Sequence, residues 1–577
     1  VHSQTEDTKD IQKHSFFTKV FFAFSYTEKL IFLIVSLVFL FIGLTLLLQY
    51  NESILETVPV HGGELQEGVI GTPRFVNPVL AVSDTDNDLV TLLYSGLMRI
   101  DSTGKLIYDL AESHSVSDDG LTYTFVLKDD AVFHDGRPVT ASDVVFTIEK
   151  IKTDIIKSPQ RGNWDSINVE AIGENQVIYT LPNPFPAFLL NTTLGILPSH
   201  IWQGVADEEF PFTERNINPI GSGPFKISKI NKNSAGIAES YELTSFSNFT
   251  LGKPYIETIL LKFYKSEVSL VEAIRNGEIT NAGGISPQIA IGLTNTNYSI
   301  TSFPLPRVFA VFYNQNQSPI LASPAVREIL ETSIDKEKIV ADVLQNFGTV
   351  IDGPIPTSLQ SEEVLFGNAA STPQYSSEEA LRLIGEADFD TNTEGVLEDS
   401  NGQRLQFILA TADVPELIQV AQQLEKQWKE LGIAVTVDVF STRDFTQNII
   451  RSRSYDAILF GEVIGRDIDL YPFWHSSQRN DPGLNIANYA NIDADAALEE
   501  ARTQTDEALK METLKIATRE IANDTPALFL YNPEYIYVTS DTIKGIASQT
   551  LMTGSERFVT VHEWYKDTDR VWNFFNI

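Results

Sequence analysis

Cysteine is absent from all 577 residues. That excludes disulfides, thiolate zinc sites, iron–sulfur clusters, a cysteine nucleophile and a lipid-modified N-terminal cysteine. Basic residues are scarce: 42 Lys and Arg stand against 77 Asp and Glu, a net charge of −35. A chain of that sign repels phosphate backbones, so nucleic-acid binding is excluded. Histidine is limited to His2, His14, His61, His114, His134, His200, His475 and His562. None has HExxH or another metal-ligand spacing, so no metal and no cofactor is expected. The GxSxG nucleophile elbow and the GxxxxGK[ST] phosphate loop are missing too. Gly221-Ser-Gly223-Pro224 sets a serine between glycines, but Pro224 blocks the helix entry that an elbow requires, so a turn is expected. His134-Asp135-Gly136 likewise reads as a turn, not a catalytic pair. Carboxylates are spread throughout, and no pair stands out for acid–base work. These residues speak for binding rather than catalysis.

What is present is a large globular chain with 35 Phe, 19 Tyr and 43% hydrophobic residues. Its length predicts three or four domains. It opens on Val1, as expected of a non-standard start codon or a fragment. Leu30 to Leu48 is an uncharged run of 19 residues, about 28 Å as a helix and close to a bilayer's hydrocarbon thickness. It is longer than the apolar region of a signal peptide, and Gln49-Tyr50-Asn51-Glu52 offers no small-x-small cleavage site. An uncleaved anchor is expected. Lys9, Lys13, Lys19 and Lys29 precede the run and the next basic residue is Arg74. The positive-inside rule then places the N-terminus in the cytoplasm and the rest outside.

Downstream, strands and helices alternate. Leu121–Leu127 alternates as a strand. Ala141–Ile151 fits a helix capped by Thr140, with Asp143 in the capping-box position. Ser323-Pro324 opens a helix through Ser333, and Ser376-x-x-Glu379 is a further capping box. The clearest unit joins strand Leu405–Ala410, helix Pro415–Glu430, a stop at Gly432 and strand Ile433–Val439. In that helix Leu417, Val420, Leu424, Trp428 and Leu431 share one face, so the unit is βαβ with parallel strands. A helix over Asp506–Asn523 leads into a strand over Ala527–Tyr531. The fold class is α/β in more than one lobe.

Five segments in register resemble the extracytoplasmic solute-binding proteins of family 5, the peptide- and oligopeptide-binding components of ABC importers. They are Leu121-Thr-Tyr-Thr-Phe-Val-Leu-Lys128 with Val132-Phe-His-Asp-Gly-Arg-Pro-Val-Thr-Ala-Ser-Asp-Val144; Gly221-Ser-Gly-Pro-Phe225; Pro324-Ala-Val-Arg327 with Ser333-Ile-Asp-Lys336; Asp456 with Gly461; and Asp467-Ile-Asp-Leu-Tyr-Pro-Phe-Trp-His-Ser476. The resemblance implies a two-lobe, periplasmic-binding-protein-like clamshell with an extra subdomain, here preceded by one transmembrane helix. The expected divisions are a cytoplasmic tail over 1–29, the membrane helix over 30–48 and a stalk over 49–63. Lobe 1 follows over 64–305 with its subdomain at 91–190, then lobe 2 over 306–527 and a return to lobe 1 over 528–577. It implies a monomeric receptor on the cell membrane that binds peptide in the interlobe cleft, closes about a hinge and hands its ligand to ABC permease subunits. The alternatives are a receptor for a metal chelate or sugar, and a membrane-anchored sensor ectodomain.

The resemblance also points to ligand-binding residues. Arg466, Asp467, Asp469, Tyr471 and Trp474 follow the strand expected at Ala457–Phe460. Trp474 and Tyr471 are expected to supply flat apolar area, and Asp467 or Asp469 a charge for a cationic group. Many peptide-binding relatives hold the peptide's α-amino group with an Asp three residues before an Asp-Pro pair. Aligning Asp467 to that pair puts Ile464 at the anchoring position and Ile468 in place of the Pro, with Glu462 as the nearby substitute. Asn314, Arg74 and Phe75 complete the set.

Overall fold

The computed structural model describes residues 23–53, 55–293, 298–359, 375–504, 506–547 and 549–572. The expected cytoplasmic tail lies outside the described residues as far as residue 22, Lys9, Lys13 and Lys19 included. The chain divides into two compact units, 1–60 with 567–577, and 61–566.

In the first unit the uncharged run becomes part of one helix, Tyr26–Ser53. Its large apolar side chains between Leu30 and Leu48 are exposed all round, a pattern suited to lipid rather than to a protein core. Among the described residues it is the one helix long and apolar enough to cross a membrane, as an anchor or a signal sequence would be. Within the segment read as a stalk, Leu55–Val60 forms an antiparallel ribbon with Asp567–Trp572, Leu55 opposite Trp572.

The second unit is mixed α/β, and its long strand Ala527–Ser540 is shared by two halves. Ala527–Tyr531 pairs with Arg307–Tyr313, and Glu534–Ser540 pairs with Tyr298–Pro304. The chain crosses between the halves at two adjacent places, around Leu305 and around Pro533. Leu305 N–H donates to the Pro533 carbonyl at 3.0 Å. The Asn532 side-chain amide donates to the carbonyls of Arg307, at 3.2 Å, and Leu305. The apolar core is correspondingly divided. One cluster draws only on residues between Val308 and Tyr531; another draws on Leu65–Leu261, on Phe303 and Leu305, and on Tyr537–Trp564.

The βαβ unit forms in the second half. Strands Gln406–Ala412 and Ala434–Phe440 pair in parallel, Gln406 opposite Ala434, around helix Pro415–Glu430. Leu417, Val420, Leu424 and Trp428 are its buried face. Gly432 takes φ +84°, the left-handed geometry that stops a helix with least strain in glycine. Ala457–Val463 lies on the other side of Gln406–Ala412, parallel to it, and antiparallel to Arg307–Tyr313.

The first half carries a separate four-stranded sheet from Ala111–Val116, Thr122–Leu127, Gln176–Thr180 and Asn168–Ile172. Helix Ala141–Lys152 begins with the expected capping box, the Asp143 carboxylate accepting from Thr140 N–H at 2.8 Å. The His134 turn is built as part of a clasp. Its Nδ1 accepts from Gly221 N–H at 3.3 Å, so the proton sits on Nε2, which donates to the Gly223 carbonyl at 3.1 Å. The ring meets Phe246 edge-on at 4.9 Å. Gly136 has φ +84°, as a tight turn requires. Gly221 and Gly223 press against the backbone of Leu93 and Tyr94 so closely that a Cβ on Gly221 would lie 1.9 Å from the Leu93 carbonyl oxygen. Gly-Ser-Gly-Pro is therefore a packing device.

Candidate functional site

Strand direction locates the cleft. Arg307–Tyr313 starts at the crossing and runs away from it, so its antiparallel neighbour Ala457–Val463 ends there, Val463 opposite Arg307. The two parallel strands of the βαβ unit end on the same side. In the first half, Asn281–Gly283 runs against the shared strand, Gly283 opposite Tyr537, and Glu64–Ile70 runs parallel to it. Both sets of parallel strands thus present their C-terminal ends to the crossing, where α/β sheets hold their ligands.

Glu462 is the penultimate residue of Ala457–Val463. It is 4% exposed, and neither carboxylate oxygen has a hydrogen-bond partner among the described residues. Burial without a counter-charge pushes its carboxyl well above the usual carboxylate range. Such a group is costly to hold empty-handed. Beside it Ile464 N–H donates to the Pro306 carbonyl at 2.8 Å, which fixes the following loop to the crossing. Glu416, in the first turn of Pro415–Glu430, accepts from Tyr531 OH at 2.8 Å, and Tyr531 stacks on Phe309 at 5.0 Å. Burial raises the Glu416 carboxyl, against the lowering pull of Tyr531 and Arg307.

Arg466 reaches across the cleft. Its Nη2 donates to the Glu556 carboxylate at 2.6 Å and the Thr550 carbonyl at 3.0 Å. Asp467 pairs with Lys510, and Asp469 lies 3.3 Å from Arg502 while accepting from Tyr471 N–H at 3.1 Å. Burial raises the Asp469 carboxyl. Each acid of the pair therefore already has a cation of the protein. Tyr471 is sandwiched between the His475 ring at 4.2 Å and the Arg502 guanidinium at 4.6 Å. Phe185 and Pro186 of the first half face Asp467–Leu470 and Lys510 across a gap with room for little more than one water. The lobes are shut at this edge.

Two expected site residues sit elsewhere. Trp474 is fully buried against Phe312, Tyr489 and Phe529, with ring centroids 6.0, 6.1 and 5.7 Å away. It is a core residue of the second half because the short helix Tyr471–Trp474 turns it inward. Asn314 follows the far end of Arg307–Tyr313, about 20 Å from the crossing at strand rise. There its amide donates to the Arg453 carbonyl at 2.9 Å and its oxygen accepts from Asn488 at 3.2 Å, tying that end of the strand to two distant segments. Arg74 and Phe75 follow the C-terminal end of Glu64–Ile70. Both backbone N–H groups donate to Asp86, at 2.7 and 2.8 Å, and the Arg74 guanidinium rests 4.9 Å from the Phe75 ring. Thr550, Glu556, Phe185 and Pro186 carry no motif, and they join the site only through contacts distant in sequence.

The architecture defines a solute-binding clamshell. The family described as bacterial extracellular solute-binding proteins, family 5 Middle, matches residues 105–482. The chain belongs to that family, the solute-binding proteins of ABC importers. It is 28% identical over 498 residues to the oligopeptide-binding protein AppA of Bacillus subtilis, covering 84% of this chain and 89% of that one. The solved structure of that protein with a nonapeptide superposes with a TM-score of 0.66 over 88% of this chain and all of its own, at 25% identity. The binding protein CtaP of Listeria monocytogenes is 28% identical with a TM-score of 0.72, covering 88% of this chain and 99% of its own. NikZ of Campylobacter jejuni, solved with Ni(L-His), is 27% identical with a TM-score of 0.66 over 87% of this chain and 99% of its own.

Proposed function

We propose that this chain is the membrane-anchored, extracytoplasmic peptide receptor of an ABC importer and has no catalytic activity of its own. The observation that carries the reading is likeness to an oligopeptide-binding protein across 84% of the chain. Strand ends and loops offer backbone N–H and C=O groups to an extended peptide. Glu462 is the acid assigned to a cationic group of the ligand, in place of Asp467 and Asp469, because it is the one without a counter-charge among these three. The Tyr26–Ser53 helix serves as anchor, with the N-terminus cytoplasmic.

The test is calorimetry with a defined peptide and its N-acetylated form. A charge-assisted hydrogen bond is worth about 1.5–3 kcal/mol, so Glu462→Gln should weaken the free peptide about 10- to 150-fold. The variant should leave the acetylated form unchanged. Equal binding of both peptides to wild type would remove Glu462 from the role. The NikZ likeness favours one second reading, a metal chelate as ligand, and binding of nickel–histidine in place of peptide would establish it.

A further inference from the structure

We propose that Arg466 and Glu556 form a latch between the lobes that favours the closed form without any ligand, whatever the cleft binds. Arg466 belongs to the loop after Ala457–Val463, in one half. Glu556 belongs to the short helix Gly554–Phe558, whose Phe558 lies in the core of the other half. The pair is therefore broken whenever the lobes part.

Both partners are set in place beforehand. The Glu556 carboxylate also accepts from Met552 N–H at 2.8 Å. The next residue, Arg557, is held by Glu67 at 2.9 Å and Asp88 at 2.7 Å, all three buried. The turn that presents Glu556 is thus fixed to the lobe beneath it. On the other side, the loop of Arg466 is tied to the crossing through Ile464 and to Lys510 through Asp467. The side chains are 12% and 22% exposed, so the pair is screened less than a surface ion pair. A second link runs alongside, Thr550 Oγ1 donating to the Ser358 carbonyl at 3.2 Å. The Arg466 Nε has no partner among the described residues, but both Nη2 contacts are made without a ligand, and the pair is expected to shift the closed-to-open ratio roughly tenfold.

The absence of cysteine allows a direct test on the full chain in detergent. Cysteines replacing the exposed Asp118, in the subdomain, and Ala496, in the other half, carry nitroxide labels. Co-purifying solute is removed in mild denaturant and its removal checked by mass spectrometry. Double electron–electron resonance then reads the distance between the lobes. Wild type should populate a short distance. Arg466→Gln and Glu556→Gln should each move roughly tenfold of the population ratio toward a longer distance. Arg466→Gln also gives up the Thr550 carbonyl, so the doubly substituted chain should move no further than Arg466→Gln alone. The two single variants alter different lobes, so a folding defect in one leaves the other informative. Distance distributions unchanged from wild type in the single variants, or effects that simply add, would overturn the latch.

Discussion

The His134 clasp makes stability depend on pH in a way that can be worked out. With Nδ1 accepting from Gly221 N–H and Nε2 donating to the Gly223 carbonyl, the ring is held neutral. A proton on Nδ1 would face an N–H donor. Burial pushes the His134 pKa down from 6.5 to about 4. A depressed histidine pKa means that the unfolded chain takes up the proton first. The stabilisation is therefore complete above pH 6.5 and is lost as pH falls toward 4. At 1.36 kcal/mol per pKa unit, the loss is at most about 3 kcal/mol. His134→Gln removes this titration. It also costs hydrogen bonds worth about 1 kcal/mol each at neutral pH. Wild type should thus be clearly more stable than the variant at pH 7.5, and the gap should close or reverse near pH 4. The assay is a pair of urea-unfolding series between these limits, comparing only the difference, so that His562 and the carboxylates cancel. A gap independent of pH would refute the neutral clasp.

Four further outcomes follow from the packing and the charges. Gly221→Ala should destabilise by about 3 kcal/mol, the upper end for overpacking, because its Cβ would meet the Leu93 carbonyl at 1.9 Å; an unchanged urea midpoint would mean that this backbone gives way freely. Arg557→Met should cost about 3–5 kcal/mol by leaving Glu67 and Asp88 buried without their cation, read as a lower urea midpoint. Glu462→Leu should raise stability by about 1–3 kcal/mol, since it removes an unpartnered buried carboxyl, while weakening ligand binding. Intact-mass analysis of the membrane fraction should find a protein that retains the residues before Leu48; a mature N-terminus beyond Leu48 would identify the helix as a signal sequence.

Local signals in the sequence carried most of the fold. The helix over Pro415–Glu430 has the predicted bounds, because Pro at its first turn and Gly432 past its end are both backbone devices that act within a few residues. Thr140–Asp143 is local in the same way; at Ser376 only half of the expected box forms, Ser376 Oγ accepting from Glu379 N–H at 3.1 Å while Ser376 N–H donates to the Thr332 carbonyl, distant in sequence. The shared strand runs on to Ser540, past the expected Tyr531, because its second half pairs with Tyr298–Pro304, far away in sequence. The site was less legible for the same reason. Trp474 in an acidic, aromatic loop has the composition of a ligand wall, but a one-turn helix decides which way its ring points. Asp467 and Asp469 look like free charges until helices Glu507–Asp524 and Ile492–Thr503 bring up Lys510 and Arg502. Glu556 stands 90 residues from Arg466 with no motif to mark it.

The most direct measurement is native mass spectrometry of the full chain, extracted from its own membrane without denaturant and then offered a defined mixture of short peptides. Peptides should be found bound on extraction, and should be captured again from the mixture after stripping. A metal chelate or a sugar as the resident molecule, with no peptide retained from the mixture, would contradict a peptide receptor.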